Sequence, residues 1–388
     1  MLNRSRLIDE FIELVKVDSI SLHEREMADR LTSKLQRMGY DVEEEDFAEE
    51  IGGNAGNLRC YIQGNDSVPA IMFMAHMDTI VPGIGKNPII ENNLVKTNGK
   101  TVLGADDLAG VACILEALEV LKEQNVEHGD IHIVFTVAEE IGLQGVKHLD
   151  FGSFKNTKPQ YCFVMDSTGP VGTVVVKAPY HSKIQAVVLG KSAHAGAEPE
   201  KGTSAIKIAA DAIAKMNLGR IDCETTANIG IIKGGSVVNV VCDRVEIQAE
   251  VRSINKSKME REIEYMRKCL EEKSYANGGN YEFEVDEQYQ GFNIDPNDCI
   301  ISILRPACAM TGVELQLVAI GGGSDTNIVN EKGISAVNIG IGACDIHSTR
   351  EYIDIESMVK ATELIVNIVK CVQRDMLDNR QLTGAQVK

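Results

Sequence analysis

The sequence lacks the cysteine pattern of a disulfide-stabilised secreted domain. Its ten cysteines are scattered singly over 388 residues and form no CxxC pair, whereas small secreted domains carry dense cysteine frameworks. We therefore expect reduced, mostly buried thiols. The first sixteen residues contain no apolar core of a signal peptide, and no run approaches the roughly 18 apolar residues of a membrane span. These absences predict a cytoplasmic protein without a membrane partner.

Positive charge is also scarce. There are 39 lysines and arginines against 57 aspartates and glutamates, which gives a formal net charge of -18. Such a charge argues against nucleic acid as a partner, because like charges repel. No G-x-G-x-x-G motif follows the first predicted strands, so a dehydrogenase that binds a dinucleotide is excluded. The length of the chain, in contrast, is enough for two domains.

Short apolar runs alternate with helical patterns in the two outer parts of the chain. Apolar runs predict buried strands at 70–75, 131–138 and 161–165, and a helix is predicted at 110–121. The same alternation resumes after Gly291 and ends in a helix that begins at Ile355. This rhythm favours an α/β fold with a mixed, largely parallel sheet flanked by helices.

The pattern changes in the middle of the chain. Between residues 180 and 291 the predicted elements follow the order β-α-β-β-α-β, which is typical of a ferredoxin-like α+β unit that can fold by itself. We therefore predict one larger domain formed by residues 1–179 and 292–388, with a smaller domain of residues 180–291 inserted into it.

Acidic and imidazole side chains recur where predicted strands end or a predicted helix begins. Ligands of open α/β sheets bind beyond the carboxyl ends of the strands. A single histidine or aspartate at such a position is usually a solvated or capping residue, but several at converging strand ends indicate a site. The segments are 74–78, 104–107, 137–140, 164–166 and 345–348.

The residue types in these segments fit zinc. Imidazole and carboxylate groups are common zinc ligands, and a hydrolytic site leaves one position open for water. Two metal ions require a bridging carboxylate, and Asp106, which enters from a loop, has two oxygens for that purpose. His76 and Asp166 would complete one metal site, and Glu140 and His347 would complete the other.

Two further carboxylates have predicted roles in catalysis. Asp78 lies two residues beyond His76, where it is placed to accept a hydrogen bond from that imidazole and fix its orientation. Successive side chains at a strand end point in opposite directions, so Glu140 can bind metal while Glu139 faces the bound water. We expect Glu139 to be the general base and later the acid that protonates the leaving amine.

This ordered set of motifs resembles the peptidase T (tripeptide aminopeptidase) group over nearly the whole chain. The group belongs to a metallopeptidase superfamily that includes aminoacylases and glutamate carboxypeptidases. The resemblance implies hydrolysis of short peptides by a domain that binds two zinc ions per chain, with cobalt or manganese as substitutes. It also implies a lid domain that forms a homodimer, and a cis peptide bond between Asp106 and Asp107. The matching residues are His76-x-Asp78, Gly104-Ala105-Asp106-Asp107, Glu139-Glu140, Asp166 and His347.

The same resemblance extends to the predicted lid. His194, within Ser-Ala-His-Ala-Gly, matches a lid histidine that reaches the site of the neighbouring subunit and stabilises the oxyanion. Asn239 and Arg252 match lid positions that hold substrate. Gly322 and Gly323 match a glycine-rich loop beside the substrate, where main-chain N–H groups can approach an anion.

One position departs from the pattern. Peptidase T proper carries an arginine just before the glycine pair of this loop, whereas here the position is Gly321, preceded by Ile320. That arginine is expected to bind the carboxyl terminus of the substrate, so its absence leaves a deacylase of N-acyl amino acids or acyl-peptides open. A non-catalytic metal-binding scaffold is disfavoured, because Glu139 and all five predicted ligands are present.

Overall fold

The computed structural model describes residues 2–384, and the chain divides into two compact units. The first contains the chain up to Val176, Ile294–Ala319 and the chain from Ser324 onward. The second contains Lys177–Asn293 and Ile320–Gly323. The chain passes from the first unit to the second after Val176 and returns at Ile294. The role of the second unit as a lid stays a prediction.

The helices alternate with strands in the first unit and are fewer in the second. In chain order they are α1 (Arg4–Val15), α2 (Arg25–Arg37), α3 (Ala105–Glu123), α4 (Gln144–His148), α5 (Ala205–Ile213), α6 (Lys256–Ala276), α7 (Cys299–Thr311), α8 (Asp325–Glu331) and α9 (Ile355–Gly384). A 3₁₀ turn at Pro199–Lys201 precedes α5.

The strands form three sheets. They are β1 (Val42–Glu44), β2 (Leu58–Ile62), β3 (Ile71–His76), β4 (Ile89–Glu91), β5 (Leu94–Lys96), β6 (Ile131–Thr136), β7 (Tyr161–Ser167), β8 (Thr173–Ala178), β9 (Tyr180–Leu189), β10 (Gly219–Arg220), β11 (Thr225–Gly234), β12 (Arg244–Ser253), β13 (Asn280–Tyr289), β14 (Phe292–Asn293), β15 (Gln316–Ala319), β16 (Ser335–Gly340), β17 (Ala343–Cys344) and β18 (Tyr352–Asp354).

The large sheet of the first unit is mixed, as the alternation of apolar runs predicts. Its strands follow the order β1-β2-β6-β3-β7-β16-β8. The central pairs β6–β3, β3–β7 and β7–β16 are parallel, and the outer pairs are antiparallel. Every residue of β3 and β6 is buried, because parallel strands in α/β folds are covered by helices on both faces. This burial explains why their sequences are continuous apolar runs.

One extended hydrophobic core holds the helices of the first unit against this sheet. It includes apolar side chains of α1, α2, α3, α7 and α9. Helix α3 is buried along almost its whole length, so it carries no amphipathic pattern. It begins at Ala105, within the segment 104–107 where the sequence predicts that a helix begins, although Asp106 and Asp107 have non-helical φ and ψ. Within the residues described, no helix is long and apolar enough to cross a lipid bilayer.

The second unit has the predicted ferredoxin-like arrangement. Its antiparallel sheet has the order β10-β11-β12-β9-β13, in which β9, β11, β12 and β13 are the strands of the β-α-β-β-α-β unit and α5 and α6 are its helices. Burial alternates strictly along the first part of β12, which is the pattern of a sheet with one covered and one solvated face. A separate core of eighteen buried residues lies between this sheet and its helices.

Candidate metal centre

Three neighbouring parallel strands deliver the predicted ligands to one edge of the large sheet. His76 is the last residue of β3, Asp166 is the next-to-last residue of β7, and Glu139 and Glu140 follow β6 after two residues. Ala138 has a φ of 51°, a left-handed conformation that turns the chain sharply just before the two glutamates. Parallel strands that end together therefore bring these side chains to one place.

Asp106 lies at the centre of the cluster. Its Oδ1 is 3.0 Å from His76 Nε2, and its Oδ2 is 3.3 Å from His347 Nε2. His347 Nε2 is also 3.0 Å from Glu140 Oε2, and His76 Nε2 is 3.7 Å from Asp166 Oδ1. The two oxygens of one carboxylate thus face two different imidazoles, each of which has a second carboxylate beside it.

The donor set fits a divalent cation such as zinc. Ligand atoms of His76, Asp106 and Glu140 all lie within 4.8 Å of one another, and so do those of His76, Asp107 and Asp166. Imidazole nitrogen with carboxylate oxygen is a typical zinc environment. The peptide bond between Asp106 and Asp107 is cis, as the resemblance implies.

Asp107 is a member of this cluster that the sequence analysis did not assign. It is fully buried. Its Oδ2 accepts a hydrogen bond from the main-chain N–H of His76 at 3.2 Å, while its Oδ1 is buried without a hydrogen-bond partner. The signal for Asp107 in the sequence is its position directly after Asp106, in the segment Gly104-Ala105-Asp106-Asp107.

Electrostatics in the cluster are dominated by burial of like charges. Burial raises the pKa of Glu139 well above its usual value, and it raises that of Asp166 to about 7. Burial also favours a raised pKa for Asp106, but hydrogen bonds with His347 and His76 outweigh it and hold that pKa below its usual range. Hydrogen bonds to Asp106 and Glu140 raise the pKa of His347 to about 10. The site therefore holds protons that a bound cation would displace.

Asp78 contacts His76 differently from the expectation. His76 Nδ1 is 3.0 Å from the main-chain carbonyl oxygen of Asp78 and 3.5 Å from its carboxylate Oδ1. A carbonyl oxygen only accepts, so Nδ1 carries the proton and Nε2 is the nitrogen that faces the carboxylates. The Asp78 carboxylate itself accepts the main-chain N–H groups of Glu139 at 3.0 Å and Glu140 at 3.3 Å.

Other buried polar side chains hold the main chain of the site in the same way. Glu24 Oε1 accepts the N–H of Ala138 at 3.0 Å. The side-chain amide of Asn338 accepts the N–H of Asp166 at 3.0 Å and donates to its carbonyl oxygen at 2.6 Å. Glu351 does the same for the loop before Asp106, where its Oε2 accepts the N–H groups of Leu103 and Gly104. Sequence analysis missed these residues, because contacts with the main chain leave no motif.

His194, in the second unit, has a defined tautomer. Its Nδ1 accepts the main-chain N–H groups of Gly196 at 3.2 Å and Ala197 at 3.1 Å. Nδ1 thus acts as an acceptor, which leaves Nε2 of the exposed ring as the nitrogen that can donate an N–H. Asn239 is also exposed. Its main-chain carbonyl oxygen accepts the main-chain N–H of Ala195 at 2.9 Å.

Arg252 is held by neighbours within the second unit. Its Nη2 donates to Glu250 Oε2 at 3.0 Å, and its Nη1 donates to Tyr289 Oη at 3.2 Å. The glycine loop contacts the same tyrosine, since a Cβ placed on Gly323 would lie 2.2 Å from Tyr289 Cζ. A Cβ on Gly322 would meet nothing within 4 Å. Glycine is thus required by packing at position 323 and not at position 322.

Known proteins resemble the chain over nearly its whole length. The uncharacterized protein YqjE of Bacillus subtilis (strain 168) is 46% identical over 370 residues, covering 95% of this chain and 99% of that protein. The crystal structure of aminopeptidase PepT from Bacillus cereus ATCC 10987 is 44% identical, with a TM-score of 0.89, and covers 96% of this chain and 99% of that one. A tripeptidase from Staphylococcus aureus subsp. aureus Mu50 is 38% identical, with a TM-score of 0.92, 96% coverage of this chain and 100% of that one.

The model of peptidase family M20/M25/M40 matches residues 72–370. This range begins in β3, just before His76, and runs past His347 into α9. The chain therefore belongs to peptidase family M20/M25/M40, and it is a peptidase T-like hydrolase that acts on peptide bonds.

Proposed function

We propose that the protein is a dizinc aminopeptidase that hydrolyses short peptides. The observation that carries this proposal is the placement of Asp106, whose two carboxylate oxygens lie 3.0 and 3.3 Å from the Nε2 atoms of two separate imidazoles. A carboxylate shared in this way is what a bridged pair of metal ions requires. Cobalt or manganese would be alternative metals with the same donors.

His76, Asp106 and Asp166 would hold one zinc ion, and Asp106, Glu140 and His347 would hold the other. These residues would hold zinc, which would lower the pKa of a water molecule and polarise the scissile carbonyl group. Asp166 supplies negative charge beside His76, and Glu140 supplies it beside His347. The main-chain carbonyl of Asp78 fixes the His76 ring so that its Nε2 faces the metal position.

Glu139 is the proposed general base. It takes a proton from the attacking water and later gives that proton to the nitrogen of the leaving amine. Its raised pKa, caused by burial, suits a group that must hold a proton between these two steps. The hydrogen bond from its main-chain N–H to Asp78 Oδ1 restrains the backbone from which the side chain extends.

The substrate assignment draws on the relatives and on the second unit. The chain is similar to an aminopeptidase and to a tripeptidase at 44% and 38% identity, which supports short peptides. His194 would stabilise the oxyanion through Nε2–H, and Arg252, Asn239 and the loop of Gly322 and Gly323 would hold the substrate. A homodimer formed through the second unit, and a cytoplasmic location, complete the proposal.

A deacylase of N-acyl amino acids is the second candidate. The observation that favours it is Gly321, which stands where peptidase T carries an arginine. Arg252 does not simply replace that arginine, since Glu250 already pairs with its guanidinium. A panel of tripeptides, dipeptides and N-acetyl amino acids separates the two candidates: turnover of acetylated substrates alone would contradict the aminopeptidase.

The decisive experiment for the mechanism is Glu139→Gln. We expect hydrolysis to fall by at least roughly 10²–10⁴-fold, the usual contribution of a general base, with zinc content unchanged at about two per chain. Zinc is measured by elemental analysis after dialysis. Glu140→Gln is the matched control, and it should lose zinc as well as activity. Surviving activity in Glu139→Gln would rule out this mechanism.

A further inference from the structure

Glu351 is a buried carboxylate that, in the part of the chain that the structure describes, accepts hydrogen bonds from main-chain N–H groups of one loop. Its side chain is 2% exposed. Oε2 accepts the N–H of Leu103 at 2.7 Å and of Gly104 at 2.8 Å, and Oε1 accepts the N–H of Asp106 at 3.0 Å. Burying a carboxylate is costly unless its oxygens are hydrogen-bonded. Three short N–H contacts offset that cost and fix the loop strongly.

The loop that Glu351 binds has a conformation that needs such support. Gly104 has a φ of 76°, and Asp106 and Asp107 have non-helical φ and ψ although they lie within the first turn of α3. The first N–H groups of a helix have no partner within the helix. A Cβ on Gly104 would also lie 2.8 Å from Thr79 Cγ2. The carboxylate of Glu351 therefore supplies acceptors for N–H groups at this helical start, where the helix itself provides none.

Glu351 also belongs to the segment that carries His347. It lies four residues further on, and its own N–H donates to the carbonyl oxygen of Ser348 at 3.1 Å. Asp345 and His347 both have positive φ, at 50° and 58°, so this segment is a tight turn. One side chain thus connects the turn that presents His347 with the loop that presents Asp106.

We infer that Glu351 is a positioning residue for the metal centre. It holds the main chain of residues 103–106 so that the two oxygens of Asp106 face His76 and His347 at the same time. This inference rests on the proposed function, because it assumes that Asp106 bridges two metal ions. Glu351 would act on the metal centre through the main chain of this loop and not as a metal ligand.

Glutamine at position 351 tests the inference sharply. An amide has one acceptor oxygen, so Glu351→Gln can satisfy either the N–H pair of Leu103 and Gly104 or the N–H of Asp106. In both cases the NH₂ group of the new side chain points at a main-chain N–H group. We expect the zinc affinity to fall by about 10–100-fold, as for other residues that orient metal ligands.

Glu116→Gln is the matched control. Glu116 is also a buried carboxylate, and it lies on α3, the helix that Asp106 helps to begin. Its carboxylate accepts the N–H of Asn3 at 2.9 Å and forms an ion pair with Arg6 at 2.6 Å. Both partners lie near the start of the chain, outside the segments that carry the proposed metal ligands. Its loss should lower the thermal midpoint and leave the zinc affinity within about twofold of wild type.

The measurement is zinc affinity by competition with a chromogenic chelator, together with kcat and KM and the thermal midpoint of the metal-free protein. Wild-type zinc affinity in folded Glu351→Gln would overturn the inference, and so would an equal loss in Glu116→Gln. If Glu351→Gln does not fold, Glu351→Asp replaces it, with both acceptor oxygens kept, and Glu116→Asp is its control. Equal zinc affinities in that pair would overturn the inference. A wild-type chain that binds no zinc would contradict the proposed function itself.

Discussion

Glu24 shows how a single buried carboxylate makes stability depend on pH. Its Oε1 accepts the N–H groups of Leu22 at 2.9 Å and Ala138 at 3.0 Å, while its Oε2 is buried without a hydrogen-bond partner. Burial, reinforced by the charge of Asp78, raises the pKa of Glu24 to about 7. The folded protein therefore binds this proton more tightly than the unfolded chain does.

This raised pKa fixes the sign of a stability change. The contribution of protonated Glu24 to the unfolding free energy is fully present below pH 4.5, the ordinary pKa of a glutamate. It is lost as the pH rises through about 7, the raised pKa of Glu24 in the folded protein. Between these values we expect the unfolding free energy of the metal-free wild type to fall by roughly 3 kcal/mol relative to Glu24→Gln. Urea unfolding of both proteins in the presence of a chelator, at several pH values, measures this fall in the unfolding free energy. Glu49→Gln, at an exposed position, should keep the wild-type slope, and an unchanged slope in Glu24→Gln would contradict the prediction.

At the residue scale, the predictable part of the site is the part that lies at strand ends. His76, Glu139, Glu140 and Asp166 follow buried apolar runs, so their position along the chain is enough to bring them together. Glu351 contacts residues almost 250 positions away through their main chain, and no motif or periodicity records such a contact. Asn338 was missed for the same reason, since it lies inside a strand and contacts the main chain of Asp166.

At the element scale, α3 must pack very closely against β7. A Cβ on Gly110 of α3 would lie 2.5 Å from the carbonyl oxygen of Met165, the residue before Asp166, and 2.3 Å from Asp107 Oδ1. Only glycine allows this approach. The positions of Asp107 on the helix and Asp166 on the strand therefore depend on glycine at position 110.

Gly110→Ala should separate these two elements. We expect the unfolding free energy to fall by about 1–3 kcal/mol, as for other overpacked cores, with weaker zinc binding because Asp107 and Asp166 both shift. Gly230→Ala is the control, since its Cβ would meet nothing closer than 3.8 Å, and we expect a change within about 0.5 kcal/mol. Chemical unfolding and zinc titration measure the two effects. Equal stability losses in the two variants would contradict this account of the packing.

Element prediction succeeded where the periodicity is long enough to be distinctive. The ten-residue strands β9, β12 and β13 alternate over several residues, and the predicted β-α-β-β-α-β order of the second unit is confirmed. Strands β4, β5 and β18 have three residues each, which is too short for alternation to differ from chance. The segment 104–107 predicts where α3 begins, whereas the body of this helix, surrounded by apolar groups, has no polar face to mark its period.

At the scale of the whole molecule, all five proposed metal ligands belong to the first unit. Zinc at a hundred times its dissociation constant should therefore raise the unfolding free energy of that unit by about 2.7 kcal/mol for each occupied site. The sequence contains no tryptophan, so Tyr275→Trp on the exposed surface of α6 gives a fluorescence signal from the second unit alone. We expect zinc to raise the calorimetric midpoint of the first unit and to leave the tryptophan transition nearly unchanged.

The control for this prediction is Asp106→Asn in the Tyr275→Trp background. Loss of the proposed bridge should remove the calorimetric shift, while the tryptophan transition stays where it was. A tryptophan midpoint that rises with zinc as far as the calorimetric one would contradict the prediction, because the two units would then unfold together.

The side chains that support the centre bind main-chain groups, and this has a consequence for how the site can change. Glu351, Asp78 and Asn338 contact N–H and C=O groups, which do not depend on the side chain of the residue they hold. A substitution at position 106, 140 or 166 therefore leaves the local scaffold in place. The donor set can be exchanged residue by residue, by mutation or by design, so this centre is a convenient framework for building selectivity toward other metals.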